Sequence, residues 1–112
     1  MPAFSIIFAG RVPTVVVVAN DMMALGVMQE FWAAGLLVPR DISVVGFDDI
    51  AFAALADPPL TTVCSPRLEI GRRAIEALMT TIKRPEQTGI EIRIPTYLIT
   101  RNSTAPPRKI RK

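Results

Sequence analysis

The chain has 112 residues, enough for one domain or part of one, and half of them are apolar, which excludes a disordered chain. It holds one cysteine and no histidine, so an internal disulfide and the Ser-His and Cys-His catalytic arrangements are excluded, and a reducing, cytoplasmic setting is expected. The net charge of +3 is local. Arg101, Arg108, Lys109, Arg111 and Lys112 lie in the last twelve residues without an acid, while residues 1–100 carry eight cations against ten acids. Residues 105–112 are therefore expected to be a solvated, disordered basic tail.

Residues 1–10, MPAFSIIFAG, are apolar but lack a basic leader and are too short for a membrane span, which takes about 20 residues. No signal peptide and no transmembrane helix is expected. Residues 14–19, TVVVVA, are a continuous β-branched run, the pattern of a parallel strand buried on both faces. Asn20 and Asp21 follow, and either can cap a helix. Residues 22–34 form that helix, with Gly35 placed to end it. Residues 42–47 read as a second buried strand, whose Gly46 suggests a close approach of another part of the chain.

Asp48 and Asp49 end that strand, and residues 49–56 form a short helix or irregular segment closed by Asp57-Pro58-Pro59. Residues 60–64 are a third strand. Residues 67–83 are a second clear helix, with Leu68, Ile75, Leu78, Met79 and Ile82 at helical spacing. Residues 90–94 alternate Ile-Glu-Ile-Arg-Ile, the pattern of a half-exposed strand, until Pro95 interrupts it, and residues 96–100 turn apolar again. Strands alternating with helices point to an α/β fold with a mainly parallel sheet. Such sheets bind ligands beyond the carboxyl ends of their strands, where Asn20-Asp21 and Asp48-Asp49 fall.

The helix at residues 22–34 carries too little polar surface. At about 100° per residue, Gln29, Glu30 and Gly26 fill one arc of roughly 100°, and apolar side chains fill most of the rest. Burial on two sides is implied: one against the sheet, the other against a partner subunit or a neighbouring domain. Leu25, Met28 and Trp32 are the candidate partner contacts. Three or four such side chains, at about 1.5–3 kcal/mol each, are enough to hold a dimer.

Enzymatic signals are poor. Cys64 fits a small buried hydrophobe better than a nucleophile. Asp48 and Asp49 are neighbours, so in extended chain they point apart and do not form a carboxylate dyad. Two carboxylates without a third oxygen-rich cluster make no convincing metal site, and no phosphate loop is present. One of Asn20 and Asp21 is the helix cap, and a functional role needs the other to face the crevice. Asp48, flanked by apolar residues, needs a partner. A sugar or purine with several hydroxyl or N–H donors would supply one.

The stretch VANDMMALGVMQEFWAAGLLVPRDISVVGFDDIAFAALADPPLTTV, with Gly71 and then LITRNST at residues 98–104, resembles the effector-binding domain of lactose-repressor-type (LacI/GalR) transcriptional regulators. The resemblance runs over roughly residues 13–104. It implies part of a periplasmic-binding-protein-like domain, a homodimer and a sugar or purine-like effector, with no enzymatic activity, cofactor or metal. By position it implies Asn20 and Asp48 as effector contacts, with Ser65 and Arg67 in the hinge crossover, where relatives carry a Gln and an aromatic. Leu25, Met28, Leu55 and Ala56 fall on the family's dimer face, beside Trp32. Residues 1–104 then correspond to the C-terminal part of the domain, with residues 67–83 a crossover helix of a first half-domain that these residues do not include. DNA binding would need a helix-turn-helix, also not among them. The alternative is a fragment of a periplasmic sugar-binding receptor of a transport system.

Overall fold

The valine run forms β1, Val15–Val17, and the chain then turns through a capped first turn into α1, Asp21–Ala33. The strand β2, Ser43–Asp48, runs parallel to β1 with Val15 opposite Ser43 and Val17 opposite Val45. A single-turn helix, α2, Ala51–Leu55, leads to β3, Thr61–Cys64, which is parallel to β2. The long helix α3, Arg67–Lys83, precedes β4, Tyr97–Ile99, which is antiparallel to β3. The spatial order is β1-β2-β3-β4, so the mainly parallel α/β sheet is present. The computed structural model describes residues 13–87 and 89–109. The expectation for MPAFSIIFAG falls outside the described residues. Among them no helix is long and apolar enough to cross a membrane.

One face of the sheet holds the core. Ala24, Met28 and Phe31 of α1 pack with Val18, Ile42, Val44, Ala53 and Leu60. Burying side chains of this size stabilises the fold by about 1.5–3 kcal/mol each. The opposite face is uncovered: Val15 and Val17 are 47% and 75% exposed, and Phe47 and Leu98 are exposed with them. The reading of residues 14–19 as buried on both faces is thus corrected. β1 is an edge strand, and side chains alternate, so only Val16 and Val18 reach the core.

Residues 90–94 are not a strand. The β3–β4 ladder starts with Cys64 opposite Tyr97. Continuing that register sets Pro66 opposite Pro95, two residues without an N–H, at the point where β3 turns into α3. Alternation alone cannot make a strand where no ladder partner exists.

α3 has the expected bounds but contains no buried residue. Leu68, Ile75, Leu78, Met79 and Ile82 all lie exposed along it. It is held by its own backbone and by Glu69 and Glu76 pairing with Arg72 and Arg73, worth about 0.2–0.5 kcal/mol per pair. The molecule is accordingly elongated, 62 × 28 × 24 Å, with a radius of gyration of 18.9 Å. A compact chain of this length would have about 13 Å.

The amino edge of the sheet is closed by the C-terminal segment. Fully buried Ser103 donates from Oγ to the carbonyl of Val44 at 2.6 Å and accepts from the N–H of Thr61 at 2.8 Å. The N–H of Ala105 donates to Ser43 Oγ, and Arg108 Nη1 donates to the carbonyl of Asp41 at 2.7 Å. The basic segment expected to be disordered from residue 105 is therefore docked through Arg108, because its first cation finds a buried-edge carbonyl. Residues 110–112 lie outside the described residues.

Candidate binding site

β1, β2 and β3 are parallel, so their carboxyl ends share one edge, and the antiparallel β4 begins there. Extending the β1–β2 register by three residues sets Asn20 opposite Asp48. Ser65 and Arg67 leave the end of β3 on the same edge, where Asp48 pairs with Cys64 and Cys64 with Tyr97. The Tyr97 phenol pKa is held above its ordinary value, first by the neighbouring Cys64 thiol.

The two polar pairs divide their work. Asn20 is the helix cap: its Oδ1 accepts from the Met23 N–H at 2.9 Å. Asp21, the residue left over from capping, does not face the crevice. It is fully buried, its Oδ1 accepts from Thr62 Oγ1 at 2.5 Å, and its Oδ2 accepts from the Ile50 N–H at 2.9 Å. Gly46 is the clue the sequence offered, since a Cβ there would collide with Asp21 Oδ1. Nothing in the sequence pattern told which way the Asp21 carboxylate points.

Asp48 and Asp49 both have positive φ, 120° and 58°. This left-handed turn is unusual for non-glycine residues and needs external support. The Arg67 guanidinium supplies some of it by donating to the carbonyls of Asp48 and Asp49. The Asp49 carboxylate pairs with Arg101 Nη2 at 2.8 Å, both side chains largely withdrawn from solvent. Asp49 is thus structural. The half-exposed Asp48 carboxylate accepts no hydrogen bond from the described residues, and the Asn20 amide NH2 and the Ser65 hydroxyl donate none to them. Among the described residues no three His, Cys, Asp or Glu side chains converge on a metal position.

On the other side of α1 a groove of about 450 Å³ is lined by Leu25, Met28, Gln29, Trp32, Ala56 and Asp57. Trp32 is 76% exposed, whereas Met28 is 7% exposed and forms the floor; Leu55 is 79% exposed but does not line the groove. Leu25, Met28, Trp32 and Ala56 are therefore gathered on one surface, with Gln29 and Asp57 as polar members that hydrophobic counting passed over.

An open parallel sheet with unpartnered polar groups along its carboxyl edge is the architecture of a small-molecule-binding domain. The family model for the periplasmic binding protein-like domain matches residues 5–104. The ribose operon repressor of Escherichia coli strain K12 is 41% identical over 91 residues, covering 81% of this chain and 28% of the repressor. A LacI family transcriptional regulator from Enterococcus faecium with bound ribose superposes with a TM-score of 0.82 at 31% identity, covering 95% of this chain and 39% of that one. The lac repressor dimer bound to operator gives a TM-score of 0.80 at 34% identity, covering 92% and 36%. The chain belongs to the periplasmic binding protein-like family, and its counterparts there are the effector-binding domains of LacI-family regulators. It spans about a quarter of the length of the curated relatives it matches.

Proposed function

We propose that this chain is the effector-binding and dimerisation portion of a LacI-type transcriptional regulator. The carrying observation is the Asp48 carboxylate, which stands at the end of β2 without a hydrogen bond from the described residues, opposite the α1 cap Asn20 when the β1–β2 register is extended. A carboxylate and an amide on one rim suit a polyhydroxylated sugar, whose hydroxyls donate to the first and accept from the second. Ribose in the regulator from Enterococcus faecium supports a sugar over a purine. Arg67 supports the rim through the Asp48 and Asp49 carbonyls, and Ser65 adds a hydroxyl beside it. The relatives are repressors, which favours a regulator over a transport receptor or an enzyme.

In this reading two copies pair through Leu25, Met28, Trp32, Leu55 and Ala56. A helix-turn-helix outside these residues contacts operator DNA, and the protein works in the cytoplasm. Effector binding changes the angle between two half-domains and so the spacing of the DNA-binding heads, which requires the effector to favour one arrangement. The α3 helix, with its uncovered apolar stripe, belongs to the crossover toward the first half-domain.

The test is an amide chemical-shift titration with D-ribose, with D-galactose and adenine as comparators. A saturable, millimolar response centred on Asn20, Asp48 and Ser65, lost in Asp48→Ala, supports the rim. No response at these amides to any of the three removes it.

A further inference from the structure

We infer that Asp21 is the positioning residue of the rim: its buried carboxylate holds the left-handed Asp48–Asp49 turn through the Ile50 N–H and locks that turn to the first turn of α1. The part of this that concerns effector binding rests on the proposed role of Asp48.

Three groups hold the turn from outside. Arg67 reaches the carbonyls of Asp48 and Asp49, Arg101 reaches the Asp49 carboxylate, and Asp21 reaches the Ile50 N–H. Arg67 is exposed, so water can replace it, while Arg101 is 18% exposed and Asp21 0% exposed. Asp21 is thus the most buried of the three, and its carboxylate is the acceptor of the half-buried Ile50 N–H. Burial therefore singles out Asp21 as the clamp least open to exchange with solvent.

Its position also joins three elements. It is the first residue of α1, where a negative charge is favoured by the helix dipole. Its Oδ1 takes the Thr62 hydroxyl from the middle of β3, and its Oδ2 takes the N–H one residue before α2. Gly46 leaves the space that Oδ1 occupies. The helices α1 and α2, which carry Trp32 and Leu55, thus start from the same carboxylate that shapes the turn presenting Asp48.

The experiment is amide hydrogen exchange and chemical shift on this chain, with D-ribose as the probe. In Asp21→Ala both acceptor oxygens are lost, so the Ile50 N–H and the Thr62 hydroxyl lose their shared partner. The Ile50 amide should exchange at least tenfold faster, while the ladder amides of β2 keep their protection, and the ribose midpoint should rise at least tenfold. Asp48→Asn should lose the ribose response with the Ile50 exchange rate unchanged. Gly46→Ala pushes the same carboxylate from the opposite side and serves if Asp21→Ala fails to fold; Thr62→Ser, which keeps the hydroxyl, should restore what Thr62→Val loses. An Ile50 exchange rate within twofold of the parent in folded Asp21→Ala or Gly46→Ala overturns the inference. Absence of any ribose response in the parent removes the effector reading instead, and the Ile50 amide still decides whether Asp21 sets the turn.

Discussion

The two edges of the sheet are built on opposite rules. At the amino edge Ser103 fills the gap between β2 and β3, bonded to both strands, with Thr104 and Thr61 sharing a hydroxyl contact beside it. Its polar groups are satisfied internally. At the carboxyl edge the backbone is held as firmly, by Asp21, Arg67 and Arg101, yet the side chains of Asp48, Asn20 and Ser65 keep free hydrogen-bonding capacity. A fold can leave polar groups unpaired only where water or a ligand reaches them. The half-exposed rim meets that condition and the sealed edge does not. One edge is built for stability, and the other is the edge proposed for recognition.

Substitutions should separate the two. Leu60→Ala, fully buried at the start of β3, is expected to lose about 2–5 kcal/mol in urea unfolding, with effector response falling only as the folded fraction falls. Ser103→Ala removes one acceptor and one donor at the sealed edge, leaving the Thr61 N–H and the Val44 carbonyl unpaired. It should cost about 1–3 kcal/mol by the same measurement. Equal stability in this variant would break the contrast. Trp32→Asp, at an exposed position, should change unfolding of the separated chain by no more than about 0.5 kcal/mol, and convert a dimer to monomer in sedimentation equilibrium. An unchanged mass would remove Trp32 from the interface. Asp48→Asn, which keeps a side chain suited to the positive φ, should change stability by no more than about 0.5 kcal/mol, while abolishing the sugar response.

The smallest expected effect is the acid dependence of the exposed Asp41–Arg40 pair. Arg40, and then the Leu37 N–H, hold the Asp41 carboxylate below its ordinary value. A carboxylate depressed in the folded state stabilises it above the unfolded value, and that contribution is lost as pH falls through the folded one. A slight drop in the urea midpoint is expected below about pH 4, reduced in Asp41→Asn. Because the pair is exposed, salt should weaken it further.

Much of the site was legible in order along the chain and little of it in orientation. The strand-end positions of Asn20 and Asp48 followed from β-branched runs meeting polar residues, and the structure puts both on one edge. Which of Asn20 and Asp21 caps the helix was not legible, because either side chain fits that turn. The answer depends on Thr62 and on the Ile50 N–H, 41 and 29 residues away, which claim Asp21. Asp49 is equally ambiguous in sequence and is assigned only by Arg101, 52 residues away.

Local pattern, by itself, determined what propagates along the backbone: the α3 bounds, the parallel α/β order and the apolar excess of α1. Each rests on periodicity, which acts between near neighbours. Only the tertiary structure decided that β1 is an edge with one bare face, that residues 90–94 find no ladder, that Arg108 docks at the amino edge and that Asp21 turns inward. Those outcomes depend on which distant group arrives to cover a surface or accept a hydrogen bond, and periodicity shows that a face exists without showing what meets it.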